Sequence, residues 1–87
     1  MNINKPIIEE KDFYRTSDLA LAVSLSLFCP IEAIDKPPHS NRGSFLFKKS
    51  KQLEALVESY HRGEMRVSPA IYFNQLKIIK TRLYAIE

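Results

Sequence analysis

A run of lysines around one serine is the first segment of the chain whose residue types could do chemistry. Lys48 and Lys49 precede Ser50, a residue type common at helix N-caps, and Lys51 follows it. The free N–H groups and the dipole of a helix N-terminus favour an anion, and neighbouring cations strengthen that preference. The segment predicts a contact with phosphate or another anion. A solvated turn between a strand and a helix explains the same residues, and both interpretations stay open.

Aromatic and basic residues interleave near the C-terminus. At 100° per residue, a helix in this region places four of them on adjoining flanks outside its apolar stripe: Phe73, Lys77, Lys80 and Tyr84. Such a surface could hold phosphates on its lysines and unstacked bases on its rings. The alternative is that the rings lie at the rim of the core and the lysine stems cover apolar surface.

The charge distribution favours an anionic partner. The net charge of the 87-residue chain is +3, but residues 1–40 contain four Lys or Arg and six Asp or Glu, whereas residues 41–87 contain nine and four. A basic half of this kind is typical of proteins that associate with nucleic acid, and it also occurs on merely solvated surfaces. We nominate seven residues as phosphate contacts: Lys48, Lys49, Lys51, Arg62, Arg66, Lys77 and Lys80.

Residues suited to catalysis or metal binding are scattered. His39 falls in a loop, His61 falls near a helix end, and no pair of carboxylates suggests a shared site. The single cysteine, Cys29, excludes an intramolecular disulfide and a cysteine-cluster zinc site. We therefore expect a non-enzymatic protein with no metal, no cofactor and no small-molecule substrate.

Length and composition predict one small domain. With 87 residues, of which 45% are hydrophobic, the chain can build one packed core. We expect residues 1–14 to form a flexible N-terminal arm and residues 15–87 to form a single domain. The absence of a signal-peptide pattern, the lone cysteine and the lack of a membrane-length apolar run indicate a cytoplasmic protein without membrane contact.

Three helices follow from capping residues and periodicity. The first begins after Thr16-Ser17-Asp18 and cannot continue through Pro30, and its nearly continuous apolar surface predicts the most buried element. The second begins after Ser50, carries apolar residues at helical spacing from Leu53, and stops at Gly63. The third begins at Ser68-Pro69 and runs nearly to the C-terminus.

Short strands complete the expected fold. Residues 31–35 and 44–48 read as a hairpin with a long loop over 36–43, and residues 64–67 as an optional third, edge strand. The fold class is therefore α+β, a hairpin or small antiparallel sheet packed with three helices, in the order α-β-β-α-(β)-α. The expected core comprises Leu21, Leu25, Phe45, Phe47, Leu53, Leu56, Val57, Tyr60, Leu76, Ile79 and Leu83.

Four segments in a fixed order carry a family resemblance. They are "TSDLALA" at 16–22, the Phe45-Leu46-Phe47 strand, "YHRGEMRVSP" at 60–69, and the final helix from Leu76 to Leu83 with its Lys80. Over about residues 14–84 the chain resembles a family of small bacterial and phage proteins known only as a domain of unknown function. The resemblance implies a compact stand-alone domain without an assigned enzyme activity, and it transfers no catalytic residue and no ligand.

Two hypotheses about function remain. The first is a small accessory protein that binds nucleic acid through the basic half of the chain. The second is a protein-interaction module, oligomeric or adaptor-like, with no nucleic-acid contact. The second rests on the acidic N-terminal arm and on Ile71 and Ile78, which lie seven residues apart and form a small apolar row away from the helix's main stripe.

Overall fold

A computed structural model describes residues 10–40 and 42–86 of the chain. A short 3-10 helix, Glu10–Asp12, leads into three strands and three α-helices. The strands are β1 (Phe13–Thr16), β2 (Ala33–Asp35) and β3 (Ser44–Lys48), and the helices are α1 (Leu19–Ser26), α2 (Lys51–His61) and α3 (Pro69–Tyr84). The sheet is antiparallel throughout, so the expected α+β class and the three-helix architecture are confirmed.

The central strand of the sheet is β3, and the strand order is β1-β3-β2. Phe45 and Phe47 point toward the helices and are almost completely buried. Leu46 faces the opposite side, yet it is also buried, because its register partners Arg15 and Ala33 flank it on the two edge strands. Burial on both faces explains why three consecutive apolar residues occupy this strand.

An ion pair joins the two edge strands across β3. The Nη1 atom of Arg15 on β1 lies 3.2 Å from the Oδ2 atom of Asp35 on β2. Arg15 is opposite Leu46 and Asp35 is opposite Ser44, so the pair runs diagonally over the central strand. Both side chains are substantially exposed, which makes the contact a modest contributor to stability.

The third strand lies at a different place from the one expected. Residues 64–67 make no strand in the structure; the third strand is β1, at Phe13–Thr16, and the observed order is β-α-β-β-α-α. Within the expected flexible arm, residues 10–14 form the 3-10 helix and the start of β1, while residues 1–9 lie outside the described part of the chain. Pairing with β3 orders this segment, since Tyr14 lies opposite Phe47 and packs on the core.

The three helices begin where their caps predict. The side chains of Asp18, Ser50 and Ser68 each accept a hydrogen bond from the backbone N–H three residues later, at 3.2, 3.0 and 3.4 Å. Each bond satisfies one of the otherwise unpaired donors of a helix N-terminus. The first helix ends at Ser26, four residues before Pro30, which is earlier than the apolar run suggests.

Gly63 ends α2 as expected. Its φ angle is +73°, and its N–H donates to the Tyr60 carbonyl at 3.0 Å. The next N–H, of Glu64, donates to the Ser59 carbonyl at 2.9 Å. These two bonds make a Schellman motif, in which glycine supplies the left-handed conformation that closes the helix.

The core is organised around α1, which packs against both other helices and the sheet. Leu21, Val23 and Leu25 are at most 2% exposed, so the first helix is the most buried one, as expected. Of the expected core, Leu56, Val57, Tyr60 and Leu76 are only partly buried, and the other members are buried. Gly43 packs against Leu83 so closely that a side chain at this position would clash: a Cβ atom there would lie 2.5 Å from the Leu83 Cδ1 atom.

Candidate nucleic-acid interface

The lysine run lies where β3 ends and α2 begins. Lys48 and Lys49 line an open cleft of about 360 Å³, together with residues of the segment that connects α1 to β2. The Ser50 hydroxyl already caps α2, and Glu32 also lines this cleft. The lining of the cleft therefore includes one acidic residue beside the two lysines. Lys51 is exposed on the first turn of α2.

The two arginines of the nominated set differ. Arg62 Nη2 lies 2.7 Å from the Oε2 atom of Glu58, one helical turn earlier, so a carboxylate already neutralises it. Arg66 lies in the connection from α2 to α3 and is exposed, between the half-buried Met65 and Val67. Of these two arginines, Arg66 is the better candidate for a phosphate contact.

The third helix carries cations without any anion. Over Pro69–Tyr84 it contains Lys77, Lys80 and Arg82 and no Asp or Glu. The Lys77 Nζ atom lies 5.1 Å from the ring centroid of Phe73, within the range of a cation–π contact. Phe73 and Tyr84 are each 57% exposed. The interleaved aromatic and basic residues expected from the sequence therefore lie largely in solvent.

The structure separates the nominated cations into paired and unpaired ones. Arg62 pairs with Glu58. Within residues 10–40 and 42–86, the other six are exposed and make no salt bridge: Lys48, Lys49, Lys51, Arg66, Lys77 and Lys80. Exposed cations without a carboxylate partner are available to an anionic ligand.

The apolar row nominated for a protein contact is also exposed. Ile71 and Ile78 are 59% and 51% exposed. Gln75 lies between them on α3, and its Nε2 atom donates to the Ser26 hydroxyl of α1 at 3.1 Å. The row therefore lies beside the contact between α3 and α1, and internal packing does not account for it.

A cleft that sequence reasoning missed lies where the three helices converge. Its volume is about 430 Å³, and its lining residues are Ala20, Ser24, Tyr60, Gly63, Met65, Val67, Pro69 and Tyr72. Burial raises the pKa of the Tyr60 hydroxyl, and the negative charges of Asp18 and ionised Tyr72 raise that pKa further. The only sequence signal for this cleft was the alternation in residues 64–67, where Met65 and Val67 face inward without strand pairing.

The residues considered for catalysis and metal binding do not converge. The His61 ring makes an edge contact with Tyr60, with 5.5 Å between centroids, and His39 lies in the loop between β2 and β3. In the part of the chain that the structure describes, no three His, Cys, Asp or Glu residues are placed to hold a metal ion. None of the described helices is both long and apolar enough to cross a membrane.

Comparison with known proteins places the chain in one family. The model of the family described as Domain of unknown function (DUF5659) matches residues 11–85. The match covers most of the chain, including every strand and helix from β1 to α3, and the protein belongs to this family. Searches of curated proteins and of solved structures find no match.

Proposed function

We propose that this protein is a non-enzymatic accessory that binds nucleic acid, chiefly through phosphate contacts. The observation that carries the proposal is the set of six exposed cations without carboxylate partners in the described chain. Cations of this kind bind phosphates by releasing condensed counterions, and they contribute affinity without base specificity. Little sequence preference is therefore expected.

The number of free cations sets the expected salt dependence. If four to six of them contact phosphates, log affinity falls against log salt with a slope of roughly −3 to −5. Each contacting lysine that is removed reduces the size of that slope by about 0.7 to 0.9. Arg62 adds little to this slope because Glu58 already neutralises it.

A titration of labelled single- and double-stranded DNA and RNA at two salt concentrations tests the proposal. The wild-type protein is compared with a Lys48→Ala/Lys49→Ala/Lys51→Ala variant and a Lys77→Ala/Lys80→Ala variant. Glu58→Gln/Arg62→Gln is the matched control, because it removes a cation together with its carboxylate partner and leaves the net charge unchanged. No binding tighter than about 100 μM at about 50 mM salt, the weak edge of non-specific affinity, would overturn the proposal.

A second candidate function is a protein contact through Ile71 and Ile78. Its support is the exposure of two aliphatic side chains in one row beside the α1–α3 contact. This function predicts a homo-oligomer or a complex that is insensitive to salt. Light scattering over a concentration series, repeated with Ile71→Ser/Ile78→Ser, measures it; a strict monomer that also retains no protein in a pull-down removes its support.

A cytoplasmic location belongs to the same proposal. Nucleic acid is available there, and the lone half-buried thiol of Cys29 suits a reducing compartment. Fractionation of cells that produce the native chain measures the location, and recovery outside the cytoplasm would contradict it.

A further inference from the structure

We infer that the outer face of α3 binds single-stranded nucleic acid by stacking bases on Phe73 and Tyr84. This inference rests on the proposed function and names the form of nucleic acid and the residues that select it. We call the four residues that carry it the α3 face: Phe73, Lys77, Lys80 and Tyr84.

Helix geometry aligns the two rings. Phe73 and Tyr84 are eleven residues apart, which is close to three full turns, so their side chains leave α3 in nearly the same direction. At about 1.5 Å rise per residue, their Cα atoms are separated by about 16 Å along the helix. Lys77 and Lys80 lie between them on the same side. The α3 face thus has an aromatic ring at each end and two ammonium groups in the middle.

The rings are exposed because a different side of α3 holds the helix in the fold. Ile79 and Leu83 enter the core, and Tyr72 and Leu76 pack against it. Phe73 and Tyr84 lie about 100° around the helix from that stripe and keep 57% of their surface in solvent. Exposed aromatics with basic neighbours are the surface on which unpaired bases stack without sequence preference.

The cation–π contact fits this role. Lys77 covers Phe73 at 5.1 Å, and both side chains are exposed. An exposed cation–π contact is weaker than base stacking on an aromatic ring. A base can therefore displace the ammonium from the ring, and the flexible lysine can then reach a backbone phosphate.

The charge of α3 and the accessibility of base faces both favour a single strand as the ligand of the α3 face. The absence of acidic residues from α3 favours a polyanion along its length. The bases of a duplex are already stacked on one another, so their faces cannot reach rings on a convex helix, whereas those of a single strand can. At the roughly 3.4 Å spacing of a stacked strand, 16 Å corresponds to about five nucleotides, and to fewer in an extended strand.

Binding of labelled oligothymidylates of about three to twelve nucleotides, beside a duplex of equal charge, tests the inference. Affinity should rise steeply up to about five nucleotides and more slowly beyond that length. Phe73→Leu should weaken single-strand binding by about 5- to 150-fold and leave duplex binding and the salt slope unchanged. The matched control Phe73→Tyr keeps a ring and should bind as the wild type does.

A second pair of variants separates stacking from charge. Tyr84→Leu should act like Phe73→Leu, whereas Lys77→Ala/Lys80→Ala should reduce the size of the single-strand salt slope by about 1.4. Circular dichroism confirms that each variant keeps its helices. Equal affinity for both nucleic-acid forms, with no effect of either leucine substitution, would overturn this inference and leave the proposed function standing. If the wild-type protein binds no nucleic acid at all, both this inference and the proposed function are overturned.

Discussion

Replacing Leu25 with alanine tests the central position of α1. Leu25 is 0% exposed and belongs to the buried cluster that joins α1 to the other helices and the sheet. Truncating a fully buried leucine removes its transfer free energy and leaves a cavity, at a cost of about 2–5 kcal/mol. That loss is a large fraction of the roughly 5–15 kcal/mol by which small domains are stable. At about 4–8 °C per kcal/mol for a domain of this size, the melting temperature should fall by at least about 8 °C.

The matched control is Ile71→Ala, which also shortens an aliphatic side chain on a helix. Ile71 is 59% exposed, and alanine has the higher helix propensity, so its effect on the free energy of unfolding should stay within about 0.5 kcal/mol. Chemical denaturation of the three proteins, with m-values compared, measures both changes. A loss below about 1 kcal/mol for Leu25→Ala would show that α1 is peripheral and that the core is not built around it.

Three further perturbations follow from local features of the fold. Gly63→Ala should destabilise the protein by about 1–2 kcal/mol because position 63 has a positive φ, and crowding plays no part, since a Cβ there meets no atom within 4 Å. Gly63→Asn should cost less, because asparagine tolerates the left-handed conformation better than alanine. Equal losses of the free energy of unfolding in the two variants would contradict this reasoning. Tyr60 has a raised pKa in the folded protein, so its contribution to stability is present below about pH 10 and is lost as pH rises through that raised pKa. Tyr60→Phe should therefore flatten the fall in melting temperature at high pH, and an unchanged profile would refute the assignment. A double-mutant cycle on Arg15 and Asp35 should give a coupling below about 1 kcal/mol that weakens with salt, whereas a larger, salt-independent value would contradict the exposed geometry.

Local signals predicted the helices and the hairpin because each is specified by neighbouring residues. The caps at Asp18, Ser50 and Ser68 and the glycine at 63 act within three or four residues of their own position. Strand β1 was missed because its four residues give a short signal and its partner, β3, lies about thirty residues away. Phe13 and Tyr14 do carry β propensity, but propensity does not name a partner strand.

The prediction of a strand at residues 64–67 was wrong, although the alternation of side chains on which it rested is present in the structure. Its alternation is real, because Met65 and Val67 are half-buried while Glu64 and Arg66 are exposed. Their inward side chains line the cleft with Tyr60 and Tyr72 instead of a sheet face. Alternation therefore predicted which side chains turn inward, and it could not predict whether the backbone would find a strand to pair with.

Some contacts of the candidate site could be predicted from the sequence, and others depend on the folded chain. The Glu58–Arg62 and Phe73–Lys77 contacts both have i,i+4 spacing, so the helical periodicity could have predicted them, and the first removes a cation from the interface. Glu32, which lines the cleft of Lys48 and Lys49, belongs to a separate segment of the chain. Only the folded chain brings that acidic residue to the same cleft as the lysines, so the sequence alone could not predict this arrangement.

The way α3 is attached determines how binding variants should be interpreted. One stripe, with Ile79 and Leu83 buried, holds the helix. The large apolar side chains on its two flanks remain more than half exposed: Ile71 and Ile78 on one, Phe73 and Tyr84 on the other. Substitutions at Phe73 or Ile71 therefore remove little buried surface and should alter binding without unfolding the domain. The two flanks also point in different directions around the helix axis. A protein contact on the isoleucine row and a nucleic-acid contact on the α3 face are therefore separable by single substitutions, each in a protein that stays folded.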